Sequence, residues 1–264
     1  IAFRDYKAVH GIAGSAWVGL KHFKTFFDAY YFKRLLSNTL LLNVYSLLWS
    51  FPIPLILAIL LNQIKSAKRK RFIQTSIYVP YFISTVVLAG MLYIFLSPSG
   101  GIFNVFRDAF GLKAVDYMSE SSAFRTIYIV SGIWQGAGWG TIIYLASITN
   151  IDPQLYEASY VDGASKWQQI WHITLPGIRS TIAILLILRM GGMMNIGFEH
   201  VFVLQNSAVR SVSEVISTFV YRAGILNTQY SYTTAVGLFQ SLVSMILILS
   251  TNKIVKLLGE EGLW

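Results

Sequence analysis

Five stretches of this chain, 35–61, 72–96, 123–149, 180–204 and 230–255, carry only Arg125, Arg189, Glu199 and Lys253 as charged residues. Each exceeds the ~20 apolar residues that a helix needs to cross ~30 Å of hydrocarbon. Hydrocarbon offers the backbone no hydrogen-bond partner, so a spanning segment must be a helix or part of a closed barrel. Barrel strands alternate apolar and polar side chains, whereas these runs are continuously apolar. The chain therefore reads as an all-α integral membrane protein, a single polytopic helix bundle over 1–264 with five spans. Charged residues make up 12% of it, against about 25% in an ordinary soluble chain.

In a soluble protein the formal charge of +9 would suggest a nucleic-acid partner. Beside spans, the same charges fix topology instead. Lys65, Lys68, Arg69, Lys70 and Arg71 form the one dense basic cluster, and a short basic loop against a span marks the cytoplasmic side. Alternation then puts 150–179 and the C-terminus on that side. Residues 1–34 disagree with the rule, since they hold six Lys and Arg on the presumed outside. With no cysteine, the chain has no disulfide, no thiolate metal site and no cysteine nucleophile.

Several features predict local structure. Phe23, Phe27, Tyr30 and Arg34 follow helical spacing, so 1–34 is expected to be an extracytoplasmic, interfacial segment with an amphipathic helix. Pro52 and Pro54 predict a kink in the first span. Gly132, Gly136 and Gly140 recur every four residues and allow close helix contact. Arg189 sits near the middle of the fourth span, where an arginine costs about 2.5–3.5 kcal/mol and each Leu, Ile, Phe or Val returns about 0.3–0.6 kcal/mol. The segment still inserts, with Arg189 facing either a structural partner, such as a carbonyl or Glu199, or a solute path. Gly191, Gly192 and Gly197 loosen that span and allow it to break. The loop at 97–122 is short and weakly charged. The stretch 201–229 reads as external, with a short helix at 212–221.

The polar interval 150–179 is the informative one. Asp152 and Pro153 open a helix as N-cap and first residue. Asp162-Gly163 breaks it in the middle, and Pro176-Gly177 closes it. The expected unit is helix, tight turn, helix, in water between two spans. Catalytic patterns are missing: there is no metal-ligating histidine spacing, no nucleophile elbow and no carboxylate pair within a span. Scarce intramembrane carboxylates and no visible inverted repeat weigh against an ion-coupled secondary transporter. A membrane enzyme acting on lipid-linked sugar would need clustered Asp, Glu or His at one membrane face.

Glu157-Ala158-Ser159, three residues, Gly163, nine residues, Ile173, one residue, then Leu175-Pro176 resembles the EAA loop. That loop marks the membrane (permease) subunits of binding-protein-dependent ABC importers. Ser159 departs from the alanine usual at its position. Trp17-Val18-Gly19-Leu20 with Phe23, followed by Asn38-Thr39-Leu40, resembles the entry to the first shared span of MalF-like sugar permeases. Gly191 to Glu199 is similar to the branch that handles oligosaccharides and polysaccharide fragments, alginate importers among them. Ile1 to Asp5 resembles the extracytoplasmic end of an earlier span, which would place a sixth helix before Ile1.

This resemblance implies a type I importer fold and a bacterial cytoplasmic (inner) membrane location. It implies that Glu157, Ala158, Ser159, Asp162, Gly163, Ala164, Ile173, Leu175 and Pro176 dock in a separate ATPase, with Glu157 meeting a basic residue there. Partners would be two ATPase subunits, a second permease chain and an extracytoplasmic binding protein delivering solute to 97–122 and 201–229. ATP and Mg would be bound by the ATPases, leaving this chain without cofactor, metal or catalytic residue. Candidate path residues are Arg189, Asn195, Trp134, Gln135, Trp139, Tyr144 and Gln240. An acidic saccharide, a neutral one and a non-sugar solute all remain open substrates.

Overall fold

Helices carry the chain, as the apolar runs require, but they are broken more often than the runs themselves. The computed structural model describes residues 1–260, 262 and 263. Two helical stretches among them, Phe32–Asn62 and Tyr230–Leu257, are long and apolar enough to cross a membrane, and two bent pairs raise the number to four if each is one span. The fifth expected span coincides with a 29-residue helix, Ser121–Thr149. Its Gly, Ser, Thr and Gln residues dilute the apolar run, so it does not count by hydropathy.

The labelled elements are β1 (Arg4–Lys7), β2 (Ser15–Trp17), α1 (Lys21–Phe27), α2 (Phe32–Ser50), α3 (Pro52–Asn62), α4 (Ala67–Tyr78), α5 (Thr85–Phe95), α6 (Ile102–Ala109) and α7 (Ser121–Thr149). They continue with α8 (Pro153–Val161), α9 (Lys166–Gly177), α10 (Arg179–Gly191), α11 (Phe198–Leu204), α12 (Ile216–Leu226) and α13 (Tyr230–Leu257). The chain divides into two contact units. One comprises Ile1–Val44, Thr85–Tyr128 and Gly191–Leu247, the other Tyr45–Ser84, Ile129–Met190 and Ile248–Trp264.

In the first unit, β1 pairs antiparallel with β2, Arg4 opposite Trp17. The Arg4 guanidinium closes the hairpin by donating to the carbonyls of Ile12, Ala13 and Ser15 at 2.7–3.0 Å. The hairpin places Arg4 and Asp5 in a strand. The interfacial helix is shorter than expected: α1 ends at Phe27, and the chain turns at Asp28 before α2 begins at Phe32. The core gathers Phe26, Leu35, Met194, Ile216, Phe219, Ala223, Tyr232 and Val236. Within 201–229, α12 buries Ile216, Thr218, Phe219 and Ala223. The helix expected at 212–221 therefore starts later and runs to Leu226. The 97–122 loop contains α6, and buried Asn104 holds it by donating to the Ser97 and Val115 carbonyls, each at 2.9 Å.

In the second unit, the core comprises Ala58, Leu61, Tyr144, Leu145, Ile148 and Ile178. Pro52 and Pro54 interrupt the helix at Phe51, as expected. Gly140 lets α7 approach Pro54, where an added Cβ would lie 2.9 Å from the proline ring. Gly138, off the expected glycine face, makes the tighter approach: a Cβ there would run into the Ile77 carbonyl, while one at Gly136 would meet nothing.

Two expected spans need correction. The run 72–96 is not one helix, since Ala67–Phe82 and Thr85–Phe95 meet at 98°. Pro80 lacks the N–H for the helical ladder, and the chain tightens to a 3-10 turn at Val79–Phe82 before Ile83 turns extended. The Gln135 side-chain amide donates to the freed Ile83 carbonyl at 2.7 Å. The run 180–204 is likewise divided. α10 stops at Gly191 and α11 begins only at Phe198, so the span is broken at the glycines that were expected to allow a break.

Candidate functional site

The polar interval folds into two helices joined by a turn whose hydrogen bonds are nearly all internal. The Asp152 carboxylate accepts from the Gln154 N–H at 2.9 Å, and Pro153 occupies the first helical position. At the other end of α8, Gly163 has φ +77°, a left-handed conformation that glycine adopts without penalty. The Gly163 N–H donates to the Tyr160 carbonyl at 3.1 Å, and the Ala164 N–H to the Ser159 carbonyl at 2.9 Å. This pair of bonds is a Schellman closure. Ser165 then caps α9 in a capping box with Gln168, in which the Ser165 N–H donates to Oε1 of Gln168 at 2.7 Å. The Ser-x-x-Gln spacing is visible in the sequence and identifies the cap.

Side chains fasten the two helices to each other. Buried Gln169 donates to the Ser159 hydroxyl at 3.0 Å, and that hydroxyl donates to the Tyr156 carbonyl at 2.8 Å. The Tyr156 and Thr174 hydroxyls are 3.0 Å apart. Ser159, the departure from alanine, is thus a working member of the turn. Gly177 ends α9 where a side chain would strike Ile151, 2.7 Å from an added Cβ, and the chain bends 61° into α10.

What this unit presents outward is unusual for a polar loop. Tyr160, Val161, Trp167 and Trp171 are 77%, 84%, 72% and 63% exposed. Glu157, Ala158, Asp162 and Gly163 are exposed as well, while Ala164, Ile173 and Leu175 are half-buried. Glu157 makes no hydrogen bond or ion pair among the described residues. It borders a cleft of about 580 Å³ with Asn62, Tyr156, Tyr160, Lys166 and Gln169. A rigid turn with an unpaired carboxylate and exposed aromatic rings has the makings of a protein-docking face. The four large apolar residues went unread in the sequence, where they look like ordinary helix positions.

The expected path residues fall into separate groups. Arg189 donates to the Ser46 hydroxyl, so its partner is a hydroxyl rather than Glu199. Trp139 stacks on Tyr81 with ring centroids 4.9 Å apart, Trp134 is exposed, and Gln135 serves the Ile83 carbonyl. Tyr144 is 2% exposed within the apolar core. In the other unit, Gln240 donates to the Met194 carbonyl and to Oδ1 of Asn195, meeting polar groups released where α10 ends. Sequence reading missed Glu214, which is buried between Arg34, at 3.1 Å, and Arg222. Asn38 donates to the Glu214 carbonyl at 3.1 Å and accepts from Arg125 at 3.3 Å. Among the described residues, no group of three or more His, Cys, Asp or Glu is placed to hold a metal ion.

The chain is helical and apolar, broken at glycine and proline, with an internally bonded turn between two apolar segments. It belongs to the family of binding-protein-dependent transport system inner membrane components, whose model matches residues 50–260. It is 47% identical to the polygalacturonan/rhamnogalacturonan transport system permease protein YteP of Bacillus subtilis (strain 168), over all of this chain and 82% of the relative. Protein LplB of the same organism is 46% identical over all of this chain and 83% of its own. Among solved structures it resembles a chain of a bacterial alginate ABC transporter in complex with alginate pentasaccharide-bound periplasmic protein. That chain has a TM-score of 0.90 and 41% identity, with 93% of this chain and 85% of that chain covered. Family membership sets aside the ion-coupled carrier and the membrane enzyme.

Proposed function

We propose that this chain is the transmembrane pathway of an ATP-driven carbohydrate importer and that the turn at 157–176 transmits the ATPase motion to it. One observation carries the coupling reading: Glu157 stands exposed and unpaired on a turn that is internally bonded, beside Tyr160, Val161 and Trp167. A stiff element transmits a push without deforming, and a free carboxylate can take a basic partner in a charge-assisted bond. Two ATPase subunits, which bind the ATP and Mg, would close and drive the spans between inward- and outward-facing states as a rigid-body switch. A second permease chain completes the pathway, and an extracytoplasmic binding protein delivers the solute. The turn and the C-terminus are assigned to the cytoplasm.

The solute is assigned to oligosaccharides from acidic polysaccharides. Two of the three similar proteins named above carry polygalacturonan, rhamnogalacturonan or alginate in their names, and exposed Arg189 is a cation suited to uronate groups. The test is solute-stimulated ATP hydrolysis by the whole importer with its binding protein. Glu157→Lys is expected to lower stimulated hydrolysis at least tenfold while the complex still assembles. Normal stimulation in that variant would reject the coupling role. Stimulation by neutral oligosaccharides but not by uronate oligomers would reject the acidic substrate.

A further inference from the structure

The basic cluster that marks topology has a structure of its own. Lys68, Arg69, Lys70 and Arg71 all lie on the first turns of α4, with Lys65 just before it. Lys65, Lys68, Arg69 and Arg71 are exposed, and none of the five makes an ion pair or side-chain hydrogen bond among the described residues. No acidic residue lies in the first turn, and like charges this close repel one another. The cluster runs directly into exposed apolar surface: Phe72 is 75% exposed, and Ile73, Val79 and Phe82 are exposed beyond it. Lys68, Arg71, Phe72 and Thr75, at three- and four-residue spacing along one face, line a groove of about 410 Å³.

We propose that this groove binds an anionic phospholipid of the inner leaflet. Lys68 and Arg71 would hold the headgroup phosphate, while the acyl chains lie along Phe72 and the apolar surface that follows. The occupant is chosen by complementarity of two kinds at once. Five uncompensated positive charges demand an anion, and the adjoining aromatic and aliphatic surface demands hydrocarbon. Polybasic segments directly beside a span attract anionic lipid in this way. An acidic protein surface would satisfy the charges and leave Phe72 uncovered. The proposal does not depend on the coupling role of 157–176.

The whole importer complex, reconstituted in nanodiscs with defined ratios of phosphatidylglycerol to phosphatidylcholine, provides the test, with lipids retained on the permease counted by native mass spectrometry. The wild-type complex is expected to retain phosphatidylglycerol at least tenfold more tightly than phosphatidylcholine. Lys68→Gln/Arg71→Gln should weaken that retention by about 25-fold, at about fivefold per charge. Lys253→Gln/Lys256→Gln, neutralising another exposed basic pair at three-residue spacing, should not change it. Equal retention of the two lipids by wild type overturns the proposal without recourse to any variant. Displacement by soluble glycerol phosphate would assign the site to free phosphate and overturn it. Loss of ATPase subunits from the Lys68/Arg71 variant with lipid retention unchanged would assign the face to a protein partner and overturn it too.

Discussion

The Ser159 hydroxyl has two roles, as donor to the Tyr156 carbonyl and as acceptor for Gln169. Gln169 is 5% exposed, so removing its acceptor strands part of a buried amide at a cost of about 1–3 kcal/mol. Ser159→Ala should therefore lower the thermal midpoint of the purified complex, and Ser159→Ala/Gln169→Met should recover most of the loss. Strictly additive losses in that double-mutant cycle would contradict the pairing. In the sequence Ser159 was visible only as a deviation from alanine, because its partner lies ten residues away across a turn. Glu214 was hidden more deeply. One of its two basic partners, Arg34, is 180 positions distant, and no local spacing joins two such residues. A buried carboxylate with two arginines makes sense only once α2 and the approach to α12 are side by side.

Glycine acts at the scale of elements, and its effect depends on what faces it. Gly138→Ala should abolish assembly of the permease, since the new methyl group meets backbone at Ile77 and Tyr78, while Gly136→Ala should be tolerated because nothing lies within 4 Å. Yield of folded protein by detergent gel filtration distinguishes the two, and equal yields would contradict the packing. The repeat of Gly132, Gly136 and Gly140 drew attention to the right helix and one right contact, at Gly140. It missed Gly138 because the contact there is with a bent partner, not a straight one. The bend itself went unread because hydropathy cannot register a change of direction, although Pro80, which lacks the N–H for the helical ladder, stands within 72–96. Where local chemistry governs, sequence reading went further. Asp152-Pro153, Asp162-Gly163 and the kink at Pro52 all appear where cap, turn and ring geometry require them.

For the molecule as a whole, the proposed orientation is open to direct measurement. The chain contains no cysteine, so single cysteines can be introduced at Ser165 in the docking turn and at Ser99 in the 97–122 segment. A membrane-impermeant maleimide is expected to label Ser99→Cys in intact spheroplasts and Ser165→Cys only in inverted vesicles. The reverse pattern would invert the topology and remove the turn from the ATPase. The docking turn also has a bearing on how the chain is made. Its fastening bonds link residues no more than 18 positions apart, so closing it costs little loop entropy, and contacts of such short range form fast. Residues 152–177 can thus take shape before the following span is synthesised, and one permease could lend them to another as a cassette.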